Sequence, residues 1–115
     1  MKIRPMILSA SFVLCSPLLY AESIRIPTVS EAKQATVDLL GKEIGAMISE
    51  LKLGTCISAV KPTHPGQIAC TLTIRLGAAT NETQSDFYQK KGKWVAMPSE
   101  SQDKLPFPDP NFSKP

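Results

Sequence analysis

The sequence predicts an α+β domain: one amphipathic helix packed on a roughly four-stranded antiparallel sheet, in the order α-β-β-β-β, with one disulfide. Three observations carry this. Apolar residues recur at steps of three and four from Val37 to Leu51. Alternate residues from Ile68 to Leu76 are apolar. Two cysteines, Cys56 and Cys70, flank a turn rich in proline and glycine.

The helix has a marked start. Thr28-Val29-Ser30-Glu31 has the capping-box form, in which the threonine and the glutamate three residues on satisfy each other's backbone N–H groups. Val37, Leu40, Ile44, Met47 and Leu51, with Ile48 beside them, then make one apolar face. Gly54 after Leu53 reads as the C-terminal cap, so the helix is expected to run to Leu53. Gly41 and Gly45 lie on the flank of the face and predict a close approach to the sheet. Asp38, Lys42 and Glu43 rule this stretch out as a membrane span.

Four strands follow. Cys56–Val60 is the first, and Ile68–Leu76, with its period of two, is the second. Lys61 to Gln67, with Pro62, Pro65 and Gly66, is the turn between them. A hairpin centred on Thr63 puts Cys56 opposite Cys70, close enough for a bridge. "GAATNET", from Gly77 to Thr83, reads as a loop. Its Asn81-Glu82-Thr83 is a formal glycosylation sequon, discounted because the N-terminus reads as bacterial. Gln84–Gln89 and Lys93–Met97 form a second hairpin about Lys90-Lys91-Gly92. Phe87, Tyr88 and Trp94 on it are expected mainly to cap the core. Ile24-Arg25-Ile26, ahead of the helix, suggests a short edge strand.

The two ends differ in composition from this middle. Lys2 and Arg4, the apolar run from Met6 to Leu14, and Ala21 at a cleavable position make residues 1–21 a secretory leader. Cys15 leaves with it. Leu14 is larger than the residue a lipoprotein signal wants before its cysteine. The domain is then 22–98. Residues 99–115 form a Pro-rich tail, and the stretch from Pro98 onward holds half of the chain's ten prolines. Proline cannot donate to a sheet ladder, so this tail reads as loosely attached.

Removal of the leader brings basic and acidic residues almost into balance, since Lys2 and Arg4 go with it. No basic stripe of the kind nucleic-acid binding requires remains. An even cysteine pair in an oxidising compartment predicts a disulfide. The spacing excludes a Cys-x-x-Cys redox motif, and the single histidine, His64, brings the potential zinc ligands only to three. No carboxylate pair, nucleophile elbow or phosphate-binding glycine loop is present. The sequence therefore predicts no catalytic, cofactor-binding or metal site.

The functional expectation is a small periplasmic or extracellular module that binds another protein of the cell envelope. Its sharpest form is an inhibitor or immunity-type protein acting on an envelope enzyme. The alternative is an accessory structural subunit of a secretion, conjugation or adhesion apparatus, and a third is a small-molecule carrier using the concavity between helix and sheet. The candidate partner contacts are His64 and Pro65 at the first hairpin tip, Tyr88 and Trp94 on the second hairpin, and Phe107 and Phe112 in the tail. Exposed loops on a rigid scaffold are where binding residues concentrate.

Overall fold

The computed structural model describes residues 24–113. The predicted leader, 1–21, lies outside them. Helix α1 spans Val29–Leu40 and a single turn, α2, spans Lys42–Gly45. Strands β1 (Ile48–Ser58), β2 (Ile68–Leu76), β3 (Ala79–Lys90) and β4 (Lys93–Pro98) follow. They form one antiparallel sheet in the order β1-β2-β3-β4. The α+β class, the single main helix and the four antiparallel strands are those predicted.

The capping box at Thr28 is formed. The Thr28 hydroxyl accepts from the Glu31 N–H at 3.0 Å, and the Glu31 carboxylate accepts from the Thr28 N–H at 2.9 Å. The far end of the helix differs from expectation. It stops at Leu40 because Gly41 adopts φ 97°, a conformation glycine enters freely. Residues Ile48–Leu53 are strand. Their helix-like spacing has a specific origin: the β1–β2 register slips between Ile48 and Glu50, where a β-bulge inserts one residue. The extra residue sets the buried positions Ile48 and Leu51 three apart instead of two or four. A bulged strand thus imitates helical periodicity. Gly45 does allow a close approach, but to α1 and not to the sheet, since a Cβ there would meet Val37 Cγ1 at 2.5 Å.

Two other elements depart from the sequence reading. The 77–83 stretch is not a loop. Gly77 (φ 60°) and Ala78 alone make the turn, and Ala79 already pairs with Leu76. The polar run Thr80 to Thr83 reads as a loop because no apolar alternation marks it, yet all of it pairs with β2. Ile24–Thr28 belongs to no strand; Ile24 packs against the core and Ile26 is exposed.

One face of the sheet carries the core. Ala32 and Ala35 of α1 meet Leu51, Ile68, Cys70, Leu72, Phe87, Trp94 and Ala96 there. Phe87 caps this core as expected and is fully buried. Ala69, Thr71 and Asp86 alternate with these residues and point to the opposite face, where they are buried too. What covers them is the tail. Ser101, Leu105 and Asp109 are all buried, so the segment after Pro98 is a packed strap and not a loose end. Two 3₁₀ turns, Gln102–Lys104 and Pro110–Phe112, shape it.

Cys56 and Cys70 are directly opposed in the β1–β2 register, with Cα atoms 4.1 Å apart and an S–S distance of 2.07 Å. The predicted disulfide is present. Closing a loop of this length contributes about 3 kcal/mol in the chain-entropy model.

Candidate functional site

Because β1 and β3 run one way and β2 and β4 the other, both long hairpins turn at the same end of the sheet. The first hairpin's tip is an irregular loop, closed where the Ala59 N–H donates to the Gln67 carbonyl at 3.0 Å. Within it His64-Pro65-Gly66-Gln67 makes a β-turn: the Gln67 N–H donates to the His64 carbonyl at 3.2 Å. Proline in the second position and glycine at φ 73° in the third are what such a turn demands.

The turn would be loose without a side chain to hold it. Gln67 supplies one. Its Oε1 accepts from the Thr63 N–H (2.8 Å), the His64 N–H (3.1 Å) and the Thr63 hydroxyl (3.2 Å). Its Nε2 donates to Asp86 Oδ2 on β3 at 2.6 Å. Gln67 and Asp86 are both buried, where such bonds are strong and their loss costly. The imidazole of His64 lies flat on the ring of Tyr88, with centroids 3.6 Å apart and planes 3° from parallel. At the base of the loop the Val60 N–H donates to the Ser101 hydroxyl of the strap at 3.0 Å. Three elements, β2, β3 and the strap, therefore fix one exposed loop, and Pro65 stands exposed at its apex.

The Thr63 hydroxyl lies 3.2 Å from Gln67 Oε1 and 3.0 Å from His64 Nδ1, so it joins the imidazole to the glutamine that holds the turn. Asp86 is separated from His64 by the Gln67 amide, which passes on a hydrogen bond but takes up no proton at ordinary pH. Among the described residues no three of His, Cys, Asp and Glu come together as a metal site. Asp86 Oδ1 and Gln84 Oε1 are buried without a partner.

The strap is held by a second polar cluster. The register shifts again between Leu53 and Cys56, where Gly54 and Thr55 oppose the single residue Thr71. Asp109 docks in this bulge. Its carboxylate accepts from the Thr55 N–H at 2.9 Å, from the Thr71 hydroxyl, and from the Asn111 N–H at 2.9 Å. Its own N–H donates to Glu82 at 2.7 Å, and the Asn111 amide donates to Thr55 Oγ1 at 3.1 Å. Gly54 is required here: a Cβ would strike Thr71 Oγ1, Asp109 Oδ2 (2.6 Å) and Phe112 Cζ (2.7 Å). Burial by itself would raise the Asp109 pKa, but hydrogen bonds from Thr71, Asn111 and Thr55 stabilise the anion and hold it down at about 2.

Of the residues singled out in the sequence, the structure brings His64, Pro65 and Tyr88 together. Trp94 is 7% exposed and packs in the core on the other face of the sheet. Phe112 is half-buried beside Gly54, and Phe107, between Pro106 and Pro108, is 69% exposed. Sequence reasoning missed Gln67, Asp86 and Asp109. Only Asp109 carried a local mark: Asp-Pro-Asn is an N-cap followed by proline at the first position of a turn. The cleft between α1 and β4, lined by Ala35, Asp38, Leu39, Lys93 and Trp94, holds about 380 Å³. Its charged groups, Asp38 and Lys93, already pair with each other at 3.4 Å. Among the described residues no helix is long and apolar enough to cross a membrane.

No family model matches the chain, and no curated protein or solved structure matches it either.

Proposed function

We propose that this protein is a small exported binding module that engages another protein of the cell envelope through the loop Val60–Gly66. Its action is that of an inhibitor or immunity-type protein that occludes an envelope enzyme, with no turnover of its own. The observation that carries this reading is the Gln67 side chain, which holds the exposed turn from inside with three accepted bonds and one donated. Ordering a loop in advance removes the entropy that binding would otherwise cost. A loop that only connected two strands would need no such network. The disulfide is compatible with export, because oxidising compartments are where such bonds persist.

The test is retention of envelope protein on the immobilised, oxidised chain. Replacing His64 and Pro65 together by alanine is expected to weaken retention of the captured protein by at least about 30-fold, the effect of removing a binding hot spot. The captured protein's own activity should fall when the wild-type chain is added. Equal retention by both chains would remove the loop from the function. Turnover that disappears with His64→Ala in a folded protein would replace binding with catalysis.

A further inference from the structure

The end of the sheet opposite the tip loop has an unexplained surface. There α2 turns and β1 begins. Leu40, Ile44 and Met47 are exposed at 39%, 46% and 60%. Three large apolar side chains within eight residues exceed the scattered exposure ordinary for a soluble domain, and groups of this kind mark interaction sites. Gly41 lies among them with open space where a Cβ would be, so another backbone can approach closely. Nothing in the packing of the domain calls for these side chains. Helix α2 is already seated through Gly45 on Val37.

The charges in the patch select the occupant. Lys42 and Glu43 are adjacent, opposite in sign, and both exposed. The patch is therefore neutral and offers nothing to an anionic lipid surface or a strongly charged partner. Under a two-fold axis an isologous contact sets Lys42 against Glu43 of the other copy, and Glu43 against its Lys42, while Leu40, Ile44 and Met47 meet their own copies. We propose that this corner is the surface through which two copies of the chain associate. The resulting dimer is weak and concentration-dependent, because three apolar side chains a copy are far fewer than the roughly 20–30 residues a side of a standard interface. Both tip loops remain free and point away from each other, so dimerisation and partner binding are independent.

Sedimentation equilibrium or light scattering of the purified protein from micromolar to near-millimolar concentration tests this. A reversible monomer–dimer equilibrium is expected. Ile44→Glu and Met47→Glu should each weaken it by roughly 30-fold or more, since each deletes an apolar contact twice and sets two carboxylates face to face. Their melting temperatures should stay near wild type, because both side chains are already exposed in the single chain. Leu40→Gln is a milder second variant should either glutamate disturb folding. Lys42→Glu should weaken the dimer modestly, and adding Glu43→Lys should restore it. A protein that stays monomeric throughout overturns the proposal, as does a dimer untouched by all three apolar substitutions. Binding of a monomer to phosphatidylcholine or phosphatidylglycerol vesicles, lost with Met47→Glu, overturns it in favour of a lipid surface. None of these outcomes depends on the tip loop.

Discussion

The two hairpin tips stand side by side at one end of the sheet and are built in opposite ways. The β3–β4 tip is two residues, Lys91 and Gly92, both at positive φ (54° and 79°). That is the turn whose twist matches the strands it joins, and it needs only backbone bonds. The β1–β2 tip departs from the strands after Ala59 and rejoins them at Gln67. It is held by a buried glutamine, a buried aspartate, an aromatic stack and a strap hydroxyl. A domain that can turn a corner in two residues has no structural need for the longer loop. The difference teaches where to look for function: in the tip whose shape is maintained by side chains that the fold itself does not require.

The comparison can be broken in stages. Cys70→Ser releases the base of the elaborate tip and should cost about 2–5 kcal/mol in denaturant unfolding, the range for a native disulfide of a small secreted domain. Free thiols detected in the native protein by labelling would contradict the staple itself. Gln67→Ala leaves Asp86 buried and unpaired and the Thr63 and His64 N–H groups unbonded. It should cost about 1–3 kcal/mol, with faster hydrogen exchange at Thr63 and His64 and unchanged exchange in the β3–β4 tip. Comparable loosening of both tips would mean that the glutamine supports the sheet and not the loop.

Asp109→Ala should cost about 1–3 kcal/mol by stripping the Thr71 hydroxyl of its acceptor and the Thr55 N–H of one of its two. The same clasp predicts a pH dependence. The Asp109 pKa is lowered in the folded protein from 3.8 to about 2, so its contribution is fully present above about pH 4 and is lost as pH falls toward 2. Asp109→Asn should flatten the stability profile in that window. Gly92→Ala is the smallest change. It places a side chain at φ 79° and should cost about 1 kcal/mol without altering partner retention.

What the sequence disclosed follows the same division. Period-two alternation located β2 to the residue, the cysteine symmetry about Thr63 fixed the β1–β2 pairing, and Lys-Lys-Gly located the simple tip. These are signals repeated over several residues. β1 was misread because its bulge at Ser49–Glu50 changes the period, and the first half of β3 was missed because its polar residues show no alternation. The site was half legible. His64, Pro65 and Tyr88 were singled out for their exposure and type. The groups that order them were not, since Gln67 and Asp86 are nineteen residues apart and nothing local marks their meeting. Proline content made the tail look unattached, but its attachment rests on single polar residues, Ser101 and Asp109, each bonded across the fold.

The most direct measurement sets one tip against the other. Retention of the same envelope protein would be compared between His64→Ala/Pro65→Ala and Lys91→Ala/Lys93→Ala, with melting temperatures recorded for both. The first variant is expected to lose retention and the second to keep it, both remaining folded. Loss with the lysine variant and retention with the histidine–proline variant would place the function on the simple tip and contradict the assignment made to the loop that Gln67 holds.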